Sequence, residues 1–183
     1  MTLVPFADLK AVPWKNGLGI TREIAVEPSG ATMDDFTWRV SIADVDTASP
    51  FSVFPAIDRV IVLLSGDGFV MTLDGAQAHA LTTPCAPFAF AGEARVEVAL
   101  AGGATRDFNL MVRRGMAVGS VDVVRGRGPH RFGADTVLVH LASGSALVAG
   151  EPMHAGDTAF GAASVTLADD AVALAVRVTP LRG

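Results

Sequence analysis

A chain of 183 residues, half of them hydrophobic and 18% charged, can bury a sizeable core without a covalent staple and is too apolar for intrinsic disorder. Its formal net charge of -5 repels phosphate backbones, which excludes a nucleic-acid role unless the surface is strongly polarised. A single cysteine, Cys85, rules out an intramolecular disulfide and suits a reducing compartment.

The opening residues, Met1 to Asp8, carry no basic stretch followed by a long apolar run. No other segment is long and apolar enough to span a membrane, so a cytoplasmic protein without membrane association is expected. Next comes a dense polar run, Trp14-Lys15-Asn16-Gly17 through Thr21-Arg22-Glu23-Ile24. Its glycines allow close backbone approach, while the Lys, Asn, Thr, Arg and Glu side chains supply donors and acceptors for a small polar molecule. A capped loop accounts for it equally well. In Trp38-Arg39-Val40-Ser41-Ile42-Ala43 the two-residue period of a strand puts Arg39 and Ser41 on one face and Trp38, Val40 and Ile42 on the other.

Val60 to Leu64, then Ser65-Gly66-Asp67-Gly68, then Phe69 to Leu73 read as a hairpin: strand, glycine turn, strand. Cys85 lies far in sequence from any histidine and is expected to pack rather than react. In Asp107-Phe108-Asn109-Leu110-Met111-Val112 the same period pairs Asp107 with Asn109 and sends Phe108, Leu110 and Val112 to the other side. Arg113 and Arg114 are adjacent on a strand, so both cannot line one pocket. The stretch Arg125 to Gly133, rich in Arg, Gly and Pro, reads as a solvated irregular connection and marks a boundary. Beyond it, Val137 to Ala142, Ser143-Gly144-Ser145 and Ala146 to Ala149 repeat the earlier hairpin design, with Gly144 matching Gly66, which suggests an internal duplication. Short apolar runs between Gly, Pro and Asp, with no long 3.6-residue period, predict an all-β sandwich or barrel with little helix.

Metal chemistry finds little support. The four histidines, His79, His130, His140 and His154, are scattered singly, without the His-x-His pair and later carboxylate of a metal cupin. His140 is expected to be a hydrogen-bonded wall residue, and His79 and His154 to sit in turns. Phosphate-loop, dinucleotide and serine-hydrolase signatures are missing, so neither a cofactor nor a metal is expected.

Several of these motifs together resemble the HutD/Ves family. They are Trp14-Lys15-Asn16-Gly17 through Glu23-Ile24, Trp38-Arg39-Val40-Ser41, Ser49-Pro50-Phe51-Ser52 through Asp58-Arg59, and Gly103 through Asp107-Phe108-Asn109. The resemblance runs from about Pro13 to Arg114, and beyond Arg125 it rests on the repeated hairpin. Leu18 and Ala56 stand where the family commonly has glycine, and both are expected to narrow the pocket slightly. The resemblance implies a bicupin: two small cupin-like, jelly-roll β-barrels packed in one chain, residues 1–124 carrying the pocket and residues 125–183 forming the second barrel region. It also implies a link to bacterial histidine utilisation.

These readings combine into a binding site formed by Trp14, Lys15, Asn16, Thr21, Glu23, Arg39, Ser41, Arg59, Asp107 and Asn109. The expected occupant is a carboxylate-bearing metabolite such as N-formylglutamate or urocanate, because Arg matches a carboxylate with two parallel hydrogen bonds. The expected role is metal-independent binding with a regulatory effect on histidine breakdown. Three alternatives stay open: an enzyme using Glu23 or Asp107 as general base, a purely structural polar network, and regulation through a protein partner. Edge strands of a duplicated barrel also allow a homodimer.

Overall fold

The computed structural model describes residues 1–181. Among them the β-branched and aromatic runs form strands and the intervening Gly, Pro and Asp form turns, as the pattern predicts; the only helix is one 3-10 turn at Phe6–Asp8. In chain order the strands are β1 (Thr2–Val4), β2 (Ala11–Pro13), β3 (Gly19–Glu27), β4 (Trp38–Val45), β5 (Ile57–Gly66), β6 (Phe69–Leu73), β7 (Gln77–Leu81), β8 (Phe88–Ala91) and β9 (Val96–Leu100). They continue as β10 (Thr105–Arg113), β11 (Ala117–Arg125), β12 (Gly128–Arg131), β13 (Thr136–Ser143), β14 (Ser145–Val148), β15 (Glu151–His154), β16 (Thr158–Phe160), β17 (Ser164–Leu167) and β18 (Val172–Pro180).

The chain divides into two compact units. The larger is Lys10–Val118 with Leu181, and the smaller joins Met1–Leu9 to Gly119–Pro180. This division differs from the sequence boundary at 124/125: β1 pairs with β16, which brings the first residues into the C-terminal unit, and the break falls inside β11. Residues 182–183 of the expected second barrel lie outside the described residues.

The larger unit holds a six-stranded sheet, β2-β3-β4-β10-β5-β8, and a three-stranded sheet, β7-β6-β9. The smaller holds β1-β16-β13-β18-β11 and β12-β17-β14-β15. The order β8-β5-β10-β4 in one unit corresponds to β16-β13-β18-β11 in the other, and β7-β6-β9 corresponds to β15-β14-β17. The repeated sequence design is therefore a repeated topology.

The two expected hairpins are corrected. β5 and β6 lie in different sheets, as do β13 and β14. Gly66 (φ +90°) and Gly68 (φ +75°) carry the chain from one sheet to the other, and β10 takes the ladder edge of β5 that a hairpin partner would have used. β5 and β6 meet through side chains: Ile61 and Leu63 pack with Phe69, Met71, Leu73, Leu81 and Val96 in one buried cluster. Since sheets meet by packing and not by hydrogen bonds, they stay open, and the closed two-barrel expectation is not met. The smaller unit has its own core, in which Val139, Leu141, Val148, Met153, Val165 and Leu167 are buried together.

Further local readings change. The Arg-rich connection contains a strand, β12, because residues 128–131 pair with β17. His79 and His154 lie in strands rather than turns, and His79 stacks on Phe88 with ring centroids 3.6 Å apart. His140 is fully buried, with Nδ1 3.0 Å from Thr158 Oγ1, and Cys85 is buried.

Candidate functional site

The inner face of the six-stranded sheet has two characters. Toward β5 and β8 it is apolar and packs against β6, β7 and β9. Toward β3, β4 and β10 it is polar and borders a cavity of about 880 Å³, a volume suited to a small organic ligand. Strand register builds its wall row by row. Glu23, Ser41 and Asn109 lie side by side across β3, β4 and β10, next to Thr21, Ala43 and Asp107. In a third row Met111 lies between Arg39 of β4 and Arg59 of β5. Plain two-residue alternation puts these side chains on one face, and bulges border the rows: Ile24 is extra between Glu23 and Ala25, and Leu64 is extra opposite the Arg106/Asp107 step. On the other face Val40, Ile42, Phe108 and Leu110 are fully buried.

All ten sequence-predicted residues line this one cavity. The Trp14 indole donates to Thr21 Oγ1 at 2.7 Å, which fixes the ring against the wall. Asn16 donates weakly to Ser49 Oγ at 3.4 Å and accepts from Leu18 N at 3.1 Å. Arg39 donates to Glu23 Oε2 at 2.7 Å and to Ser41 Oγ at 3.1 Å. Both lysines of the chain, Lys10 and Lys15, stand exposed on the lining.

Deeper in the wall, Arg59 is only 8% exposed. Its Nη2 donates to Asn109 Oδ1 at 3.1 Å, and its guanidinium carbon lies 5.1, 5.5 and 4.9 Å from the ring centroids of Phe51, Phe54 and Phe90. Aromatic faces attract a cation and shield it from water. Burial lowers the Arg59 pKa to about 10, against the opposing pull of Asp107, so the group stays charged at neutral pH. Asn109 passes the chain on, its Nδ2 donating to Asp107 Oδ1. Asp107 is 1% exposed, and burial pushes its carboxyl up to about 7 even though Asn109 and Arg59 both favour the charge. Among the described residues neither Arg59 Nε nor Asp107 Oδ2 has a hydrogen-bond partner.

Asp44, on the opposite face of β4, shows the contrasting case. Burial alone would raise its pKa, but hydrogen bonds from Arg106 and Arg22 outweigh it and hold the carboxyl below the usual range. Arg113 and Arg114 both lie off the cavity: Arg113 donates to the carbonyls of Phe36 and Asp34, and Arg114 clamps Asp58 and Glu93. Leu18 and Ala56 do not line the cavity, so the expected narrowing is corrected. Ala56 has φ +59°, the left-handed geometry that glycine adopts freely.

Sequence reading missed Lys10, Met33, Ala43, Phe51, Phe54 and Met111 on the lining. Ala43 and Met111 follow from parity with Ser41 and Asn109. Phe51 and Phe54 lie in a loop without periodicity, where only the fold reveals them. Among the described residues no group of three or more His, Cys, Asp or Glu side chains could hold a metal ion.

The comparisons with known proteins agree with this architecture. The chain is 44% identical over 111 residues, 61% of its length, to an uncharacterised 21.2 kDa protein in the hutC 3' region of Pseudomonas putida. It is 43% identical over 113 residues, 60% of its length, to protein Ves of Cronobacter sakazakii. These matches span 57% and 60% of the two relatives' own lengths. The solved structure of HutD from Pseudomonas fluorescens SBW25 superposes with a TM-score of 0.84 at 34% identity, covering 100% of this chain and 99% of that one. The Escherichia coli pirin YhhW, at 8% identity and a TM-score of 0.63 over 98% of this chain and 99% of that one, shares the cupin-like all-β fold alone. With the HutD family model matching residues 6–178, essentially the whole of both β units, the chain belongs to the HutD family.

Proposed function

We propose that the cavity of the larger unit binds a small carboxylate-bearing metabolite without a metal, and that binding regulates histidine utilisation in the cytoplasm. Arg59 carries the reading. A guanidinium kept charged, nearly dry, and held by a single side-chain hydrogen bond has most of its donor capacity left for an anion. Arg39 adds a second fork beside it, while Asn16, Ser41 and Asn109 offer neutral hydrogen bonds. The two lysines at the lining raise the local concentration of an anion around a protein that is otherwise acidic. Family membership and the P. putida relative's hutC 3' region name direct attention to intermediates of histidine breakdown, N-formylglutamate and urocanate first.

Isothermal titration calorimetry tests the reading. Wild-type protein binds at least one of these carboxylates, and Arg59→Met loses that binding; because the substitution also leaves Asn109 and Asp107 buried without their partner, its melting temperature falls as well, and circular dichroism checks that it is folded. A purely structural network predicts the same fall in melting temperature with unchanged affinity, so the affinity of the folded variant decides between them.

A second reading is catalytic. The Asp107 carboxyl, held near neutrality by burial, has the property of a general acid or base. Incubation with the same compounds followed by mass and NMR analysis separates the two: product formation abolished by Asp107→Asn or Glu23→Gln supports catalysis, and binding without product supports sensing.

A further inference from the structure

The buried chain Arg59, Asn109, Asp107 joins a cation to a carboxyl through one amide. Asn109 is oriented by both ends, accepting from Arg59 and donating to Asp107. Asp107 has almost no contact with solvent, and its second oxygen has no partner among the described residues. The charged and titratable groups around it are few. From β5 it faces Arg59; from β4 come Arg39 on the cavity side and Asp44 on the opposite face; from β3 comes Glu23. Asp44 is neutralised by Arg22 and Arg106, and Glu23 is held by Arg39 and is about half open to water, which screens it. When Asp107 is ionised, Arg59 is therefore its principal counter-charge.

We infer that an anion seating on Arg59 is bound together with one proton, taken from solvent by Asp107, which acts as a positioning residue behind Asn109 and does not touch the ligand. The inference rests on the proposed function. Before binding, one guanidinium balances one buried carboxylate. After binding, the same guanidinium faces two anions in a poorly solvated wall, and protonating Asp107 removes the repulsion. The balance is simple: ligand anion, ionised Asp107 and one proton give ligand anion and neutral Asp107. The protonated oxygen also suits a site that supplies Oδ2 with no donor. The elevated Asp107 pKa places this exchange in a range of pH where proteins are readily handled. The consequence is a site selective for anions whose affinity weakens as the medium becomes alkaline.

The experiment is calorimetric titration of the full chain with N-formylglutamate, and with urocanate if the first does not bind, in buffers of widely different ionisation enthalpy. The dependence of the observed heat on that enthalpy counts protons. At about pH 8 the wild type should take up close to one proton per ligand, and its affinity should fall by up to about tenfold per pH unit above about pH 7. Asp107→Asn should bind with no uptake and an affinity flat over that range. If this variant fails to fold, the wild-type proton count decides alone. Binding without proton uptake overturns the inference and leaves the proposed function standing, and uptake that persists in Asp107→Asn does the same. No heat with any carboxylate, from a protein shown to be folded, overturns both.

Discussion

Replacing Asp107 by Asn should change how stability depends on pH, even without ligand. The carboxyl is raised from 3.8 to about 7 by burial, with Asn109 and Arg59 opposing the shift. Between these values the folded protein keeps a proton that the unfolded chain has released, so unfolding releases a proton and rising pH favours it. The contribution is fully present below about pH 4 and is lost as pH passes about 7. Roughly three units at 1.36 kcal/mol each give about 4 kcal/mol. Urea unfolding of both proteins at about pH 4 and about pH 8, followed by tryptophan fluorescence, isolates this quantity. The constant cost of the substitution cancels when the mutant-minus-wild-type difference at one pH is subtracted from that at the other. The variant should gain about 4 kcal/mol on the wild type over this interval. Parallel profiles would refute the reasoning, since they would mean that Asp107 titrates alike folded and unfolded.

Three further outcomes follow from other positions in the larger unit. Ala56→Gly should stabilise the protein by up to about 1 kcal/mol in thermal unfolding, the relief of a left-handed alanine outweighing the greater freedom glycine gains in the unfolded chain. Gly19→Ala should cost about 1–3 kcal/mol and shift the tryptophan emission, because the new Cβ would lie 2.6 Å from Asp44 O and 3.0 Å from Trp14 Cε3. The Lys10→Glu, Lys15→Glu double variant should bind an anionic ligand about tenfold more weakly at low salt and approach wild-type affinity as salt is raised, read by calorimetry at two ionic strengths.

What the sequence disclosed depended on periodicity. The two-residue alternation in β4 and β10 sorted Arg39, Ser41, Asp107 and Asn109 onto one face, and register then aligned them across the sheet. Phe51 and Phe54 escaped because loop residues have no period to read. The same alternation could not say which strands share a ladder. Val60 to Leu64 and Phe69 to Leu73 look like hairpin arms, yet alternate burial along β6 arises from packing across to β5, and only three-dimensional competition with β10 decides the pairing. Duplication was legible as a repeated strand-glycine-strand design. The return of β1 to the second unit was not, because a three-residue strand gives no sign of its distant partner.

The central claim is that a ligand's carboxylate lies against Arg59 in the cavity of the larger unit. A crystal structure of the protein grown with saturating N-formylglutamate or urocanate tests it directly. The expected result is the carboxylate within hydrogen-bond reach of the Arg59 guanidinium, with Phe51 and Phe54 flanking it. A ligand seated elsewhere, or a cavity filled only by water at concentrations where calorimetry records binding, would contradict it.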